Sequence, residues 1–493
     1  MANAKQDGDV LFEPAYRQLA MLRTRKIGAV ELFDAHLKAV AARNPAINAI
    51  VAFDEDRARA AVRAADAMTR EEAAAQPLHG LPMTIKDSYE VAGMPATCGL
   101  PDLAGYRPAQ DAVPVAKLRR AGAVIFGKTN VPAGVSDHQS YNAVYGLTRN
   151  PWNLERTVGG SSGGAAAALA AGLTALELGS DIGGSIRVPS HCCGVFGHKP
   201  SFGIVPKEGH IPPMPGQLYQ VPLSVAGPMA RSAHDLELML DIVSGPGSLE
   251  RAAWSLSLPH SRHRHISNYR VALWADASVY PLESASQAAI DAFARDQERL
   301  GVTVDRNAKP PLPLAESYRL YFEFLMGLLG ARMPEDQRQI IAAAAARDKP
   351  DGYAAMMQRA AAMTVGEFMA LGERQEQLFR AWQTFFRDYD VVICPVLPVV
   401  AFPHDMSGDG PAGQIDRRIQ VDGVPKPYLD NLMWPGIATL GHLPATAIPT
   451  GRFVDGLPVG VQLIGPYLED RTTLRLAQWI EDRLGGFRPP PLH

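Results

Sequence analysis

The sequence predicts an α/β fold built on a largely buried sheet. Short apolar runs alternate with stretches of helical periodicity, Gly and Pro punctuate the boundaries, and 47% of the 493 residues are hydrophobic. The runs Leu81–Ile85, Ala123–Phe126, Val271–Trp274, Val391–Ile393 and Val459–Ile464 are of strand length. They are mostly apolar rather than alternating, as strands covered on both faces are. Strands separated by helical segments give layers of helix on sheet. A chain of this composition buries a large core.

The first eighty residues read as helices. Apolar positions recur at helical spacing through Tyr16, Leu19, Ala20 and Leu22, and again through Leu32, Ala35, Leu37 and Val40; Asp54 to Ala75 is rich in Ala and charge. The strand-bearing texture begins near residue 81. Val205 to Pro228 is dense in Gly and Pro and is expected to be loop. Ser232-Ala-His-Asp235 reads as a capping box opening a helix to about Val243. Residues 245–385 are more helical and include the apolar run Leu320 to Leu329, and 386–493 return to strands. No internal repeat and no long polar linker interrupts the chain. One domain over residues 1–493 is therefore expected.

Composition excludes several classes. The net charge is −3, from 48 basic and 51 acidic residues, whereas a general nucleic-acid binder carries a basic face. Cys98, Cys192, Cys193 and Cys394 are too few for a disulfide framework, and no CxxC pair offers a zinc site. Ala165 to Leu176, the longest apolar stretch, is too short to span a bilayer. The start, MANAKQDGDV, has no apolar core of a signal peptide. A cytoplasmic protein with no membrane or nucleic-acid partner is expected; a homo-oligomer stays open.

Two motif matches fail on context. Gly122-Ala-Val-Ile-Phe-Gly-Lys128-Thr129 fits the GxxxxGK[ST] phosphate loop. Such a loop follows a strand and opens into a helix. Here its interior is itself strand-like, and Pro132 biases Val131 away from helix. Gly160-Ser-Ser-Gly-Gly164 fits the GxSxG elbow, but that turn needs a buried strand before it and Asn150 to Thr157 is polar.

The stretch that carries chemistry is Val158-Gly-Gly-Ser-Ser-Gly-Gly164, an Ala-rich helix, and Gly179-Ser-Asp-Ile-Gly-Gly-Ser-Ile-Arg187-Val-Pro. Two Gly-Ser clusters thus flank one helix. The run Ile182-Gly183-Gly184-Ser185 can turn several N–H groups toward one point, making an oxyanion hole beside a serine.

These segments resemble the amidase signature family of Ser–cis-Ser–Lys hydrolases. The resemblance extends to Leu81-Pro-Met-Thr-Ile-Lys86-Asp87, Phe126-Gly-Lys-Thr-Asn130, Arg149-Asn-Pro-Trp152, Gly194 to Pro200 and Gly456 to Gly465. It covers residues 80–230 and 440–482 and explains the false nucleotide motif. It implies a central mixed, twisted sheet with helices on both faces. Within one amidase domain, 1–80 would be the helical N-terminal region and 81–240 the catalytic signature region. Residues from about 245 to 385 would supply the substrate pocket, and 386–493 the C-terminal part of the sheet and a closing helix.

Residue by residue, the resemblance implies Ser185 as nucleophile, Ser161 as the bridging cis-peptide serine and Lys86 as base. The N–H groups of Ile182, Gly183, Gly184 and Ser185 would hold the oxyanion. A serine hydroxyl attacks only when something takes its proton. A lysine does so only when neutral, so Lys86 must be desolvated or crowded by positive charge. Asp181 and Arg187 are expected to pair and support the Gly-Gly-Ser turn from behind. No cofactor or metal is expected. Cys192 and Cys193 read as buried, and His191, His198 and His210 as structural.

For substrate, the resemblance places Val135, Ser136 and Asp137 along the channel. The loop His210 to Gly216 and the stretch around Phe322 and Phe324 are candidates for the rest. The expected activity is hydrolysis of a small-molecule, non-peptide, linear amide, anilide or carbamate with an apolar acyl or aryl group. Two alternatives stand beside it. One is the glutamine-hydrolysing subunit of a tRNA-dependent amidotransferase, although Lys199-Pro-Ser-Phe-Gly-Ile-Val205 lacks that branch's Tyr-Gly-Arg stretch. The other is a non-catalytic binding protein on the same scaffold.

Overall fold

The computed structural model describes residues 10–491 except 276, 279, 332 and 409, and the side chain of 411. Most of the segment read for a signal peptide lies outside the described residues.

The chain forms fifteen strands among the described residues. The first seven are β1 (Ile50–Phe53), β2 (Pro82–Lys86), β3 (Val124–Thr129), the short pair β4 (Tyr141–Asn142) and β5 (Gly146–Leu147), β6 (Leu176–Asp181) and β7 (Phe196–Lys199). Then come β8 (Val225–Ala230), β9 (Arg270–Leu273), β10 (Thr303–Asp305) and β11 (Val391–Pro395). The last four are the small hairpin β12 (Arg418–Val421) and β13 (Val424–Pro427), then β14 (Ala445–Val454) and β15 (Leu457–Ile464). Eleven strands join one mixed sheet in the order β1-β3-β2-β6-β8-β7-β14-β15-β11-β9-β10. The trio β3-β2-β6 is parallel, as is β11-β9-β10, and antiparallel pairs fill the middle. Helices cover the sheet, giving the single α/β domain the sequence predicts.

Local sequence accounts for the key elements. Asp455 and Gly456 both take positive φ, 49° and 77°, which a two-residue hairpin turn demands and an Asp-Gly pair supplies; this turn joins β14 to β15. The helix Gly163–Ala170 is buried along its whole length, so its Ala-rich composition reflects space rather than amphipathicity. At Gly164 a Cβ would stand 2.3 Å from the Asn130 backbone nitrogen.

Three expectations are corrected. The helical N-terminal region contains Ala15–Arg23, Ala29–Ile47, Glu55–Ala67 and Arg70–Ala74 but also β1, an edge strand too short to break the helical pattern. The loop expected to run to Pro228 ends earlier, because Val225–Ala230 is β8 and lies inside the sheet. Ser232 caps Ala233–Val243 by accepting from the N–H of His234, but the box is absent. The Asp235 carboxylate accepts instead from the N–H groups of Ala15 and Tyr16 at 2.8 and 2.7 Å, stapling the N-terminal helix down. No helix among the described residues is long and apolar enough to cross a membrane.

Candidate active site

Parallel strands open a crevice at their carboxyl ends. Lys86 ends β2, and Ile85 lies level with Leu178 of β6, so Lys86 faces the last residues of that strand. There its Nζ donates to Ser161 Oγ at 2.7 Å and to Ser180 Oγ at 2.9 Å. Lys86 is 0% exposed and Ser161 1%. Burial drives the amine's pKa down to about 7, against the opposing pull of Cys98, Asp181 and Glu177. Glu177 opposes it least of the three, and burial pushes that carboxyl up to about 8. The ammonium thus lacks a committed counter-charge, and the side chain is poised to exist as a free amine near neutrality.

The peptide bond Gly160–Ser161 is cis. Ser161, Ser180 and Ser185 line the same cavity, of about 150 Å³. The N–H of Ser162 donates to the carbonyl of Ser185 at 3.1 Å, which ties the two Gly-Ser clusters together. Behind the turn, Arg187 grips Asp181 with two hydrogen bonds of 3.0 and 2.9 Å, both side chains fully buried. Its other donors go to the carbonyl of Pro435, Gln462 Oε1 and Thr439 Oγ1. Burial pushes the Asp181 carboxyl up, but the Arg187 charge and hydrogen bonds outweigh it and hold the pKa at about 2. Arg187→Met is expected to cost about 3–5 kcal/mol in denaturant unfolding, because the carboxylate would stay buried without its partner.

The Asp181 carboxylate also accepts from the N–H of Gly184 at 2.9 Å and of Ile186 at 3.1 Å. This corrects the four-donor cradle expected from sequence. Gly184 has its N–H already engaged, and its φ of +104° serves the turn instead. Among the described residues, the N–H groups of Ile182, Gly183 and Ser185 donate to no protein acceptor.

Val135, Ser136 and Asp137 all line the cavity, together with His210 and Pro212 from the expected loop. The Asp137 carboxylate, however, is held by Arg417 and Tyr428, each at 2.5 Å. Phe322 and Phe324 do not face the cavity; they are buried in the second hydrophobic cluster. Their helix, Leu314–Gly330, instead presents Leu325, Met326 and Leu329.

The histidines divide. His191 contacts backbone of Gly460 and Val399, and His198 bridges Thr446 and Asp470, both away from the cavity. His210 is more than structural filler, since it lines the cavity beside Ser88. Burial, then Lys86 and Lys207, push its pKa to about 3, so it stays neutral. All four cysteines are free and buried, and no cluster of metal-ligating side chains occurs among the described residues. Lys128, the lysine of the rejected phosphate loop, is buried on β3 and donates to Asp87, the Tyr89 carbonyl and the Pro95 carbonyl.

Sequence reasoning missed three contributors. Ser180 was visible in the quoted Gly-Ser-Asp segment, one residue before Asp181. His138, whose Nε2 lies 2.8 Å from the Gly183 carbonyl oxygen, follows directly on the channel residues. Tyr321, far along the chain, donates its hydroxyl to the Ile182 carbonyl at 2.9 Å and gave no signal.

The family description "Amidase" matches residues 31–474. The chain belongs to the amidase family. This amidase is 33% identical over 482 residues to a glutamyl-tRNA(Gln) amidotransferase subunit of Roseiflexus sp. (strain RS-1), covering 92% of each chain. It is 30% identical over 506 residues to fatty-acid amide hydrolase 2-A of Danio rerio, covering 95% of this chain and 88% of that one. Its fold matches the crystal structure of a bacterial aryl acylamidase with a TM-score of 0.80 at 22% identity, over 96% of both chains.

Proposed function

We propose that this amidase hydrolyses a neutral carboxylic amide, anilide or carbamate with an apolar acyl or aryl group through an acyl-enzyme on Ser185. One observation carries the reading: a fully buried amine at Lys86, its pKa lowered by that burial, is hydrogen-bonded to Ser161 in the wall of the cavity that Ser185 also lines.

In the proposed cycle, Ser185 Oγ bonds to the carbonyl carbon while its proton passes through Ser161 to Lys86. The carbonyl oxygen, now negative, lies against the free N–H groups of the Ile182–Ser185 turn. The proton returns through Ser161 to the nitrogen, the C–N bond breaks, and the amine leaves. Water then attacks the ester by the same route, releasing the carboxylic acid, or from a carbamate the carbonic half-ester, and restoring the serine. Protonating the departing nitrogen is the demanding step for an amide, and a hydroxyl relay beside it suits that task.

The cavity favours a neutral substrate. Leu325, Met326, Leu329 and Leu432 form much of its wall. Its charged groups are already engaged: Asp137 by Arg417 and Tyr428, Asp181 by Arg187. Burial lowers the pKa of both His138 and His210, which favours their neutral forms. A zwitterion such as free glutamine would have to leave water without a counter-charge for either end.

The amidotransferase reading keeps one point in its favour, the 33% identity to a protein of that name. A substrate panel of neutral anilides, aryl carbamates, aliphatic amides and glutamine separates the two. The purified chain alone is expected to turn over neutral anilides at least about 100-fold faster, by kcat/KM, than glutamine, a difference of roughly 2.7 kcal/mol. Ammonia release from glutamine only in the presence of a partner protein would overturn the proposal.

A further inference from the structure

The peptide unit that joins Ile182 to Gly183 is held from one side. Its carbonyl accepts a hydrogen bond of 2.9 Å from the hydroxyl of Tyr321, a fully buried residue of the helix Leu314–Gly330. This unit is trans, since the cis bonds among the described residues are Gly160–Ser161, Ile211–Pro212 and Pro212–Pro213. In a planar trans peptide the C=O and N–H point in opposite directions. Fixing the Ile182 carbonyl toward Tyr321 therefore fixes the Gly183 N–H away from it, and that N–H has no protein acceptor among the described residues. The next unit behaves differently. Its carbonyl, on Gly183, meets His138 at 2.8 Å, and its N–H, on Gly184, is given to Asp181 at 2.9 Å. It is pinned at both ends and has nothing left to offer a substrate.

We infer that Tyr321 is a positioning residue for the oxyanion cradle, aiming the Gly183 N–H at the developing negative charge through the carbonyl on the reverse side of the same peptide. The inference rests on the acyl-transfer reading above. Three physical points support it. Oxyanion donors work because they are oriented before the charge appears, and a glycine-rich turn has little side-chain packing of its own to provide that order. A hydrogen bond accepted at C=O also polarises the amide and strengthens the N–H as a donor. The hydroxyl itself is placed by packing: a Cβ at Gly436 would fall 2.5 Å from the Tyr321 ring, so only glycine there lets the ring reach this depth. Burial and the nearby Asp181 charge push the phenol pKa up, so the hydroxyl remains a donor at every working pH. The plainer alternative is that a buried tyrosine has merely found an acceptor, and that alternative makes a different prediction.

The test is Tyr321→Phe, which keeps the ring and removes the donor. Steady-state kinetics on a neutral anilide are expected to show kcat about 10-fold lower, short of the 10²–10³-fold that follows outright loss of an oxyanion donor, with KM within about twofold of wild type. Affinity for a trifluoromethyl ketone, which forms a tetrahedral adduct on the serine, is expected to fall by the same factor as kcat. Gly436→Ala keeps the hydroxyl but displaces the ring, and is expected to give the same signature. It carries the test if Tyr321→Phe does not fold. Unchanged kcat and adduct affinity, or a loss confined to KM, would overturn the inference while leaving the acyl-transfer reading intact. A wild-type chain that turns over no amide and forms no adduct would overturn both.

Discussion

Ser185→Ala is expected to reduce amide turnover by roughly 10⁴-fold or more, the scale seen when a nucleophilic serine is removed from a cooperating set. Ser185 is 6% exposed and lies at the cavity surface, so truncating one hydroxyl there should leave the unfolding transition close to wild type. Loss of activity without loss of stability then separates chemistry from folding. A fluorophosphonate should add its mass to a single peptide containing Ser185 in the wild type and to none in the variant. Residues that pass one proton act as a unit, so their deletions do not add. Ser161→Ala combined with Ser185→Ala should therefore be no slower than Ser185→Ala alone. Additive losses, or a probe that labels another serine, would place the nucleophile elsewhere.

Much of the candidate site was legible in the sequence because it is local. The two Gly-Ser clusters flank one buried helix, so Ser161, Asp181, the Ile182–Ser185 turn and Arg187 sit within a short span, and its glycines mark where backbone must approach backbone closely. Lys86 was legible only through the resemblance of Leu81–Asp87 to the family's lysine strand. The sheet was legible where its strands are mostly apolar, as in β2, β11 and β15, and illegible where adjacent Gly and Pro interrupt them. β8 contains Gly227 and Pro228 yet lies inside the sheet, and composition reads it as loop. The pocket was hardest to read. Its apolar wall comes from the helix Leu314–Gly330, whose second half is apolar nearly all round, and the lining residues Leu325 and Met326 belong to the same core cluster as Phe322 and Phe324. Periodicity does not say which residues of such a stretch meet the cavity, so the candidates Phe322 and Phe324 are core while Leu325, Met326 and Leu329 form the lining. Tyr321 and Gly436 were invisible for a related reason: their meaning lies in contacts across more than a hundred residues, of Tyr321 with the Ile182 carbonyl and of Gly436 with the Tyr321 ring, which nothing in the sequence announces.

Lys86 carries the second large effect, and its sign follows from burial. Only the neutral amine can take the serine proton, and burial places the change of state at about pH 7. The kcat/KM of the wild type on a neutral anilide should therefore rise tenfold per pH unit below about pH 6.5 and level off above about pH 8. Lys86→Met should remove that ascending limb together with roughly 10³-fold or more of the rate. The same shift makes a separate prediction for stability. In the folded chain the amine gives up its proton near pH 7, but in the unfolded chain it keeps it to its ordinary value of 10.5. Between those values the unfolded state binds one more proton, so rising pH favours the fold by about 1.4 kcal/mol per unit from this group alone. Other buried amines, such as Lys199 with its pKa also near 7, contribute equally to wild type and Lys86→Met and cancel in their difference. The wild type should therefore gain stability over Lys86→Met as pH climbs from about 7 to 10, measured by denaturant unfolding. A rate profile that peaks near pH 5, or a stability difference that stays flat or falls over that interval, would mean that residue 86 keeps its charge in the fold and cannot be the base.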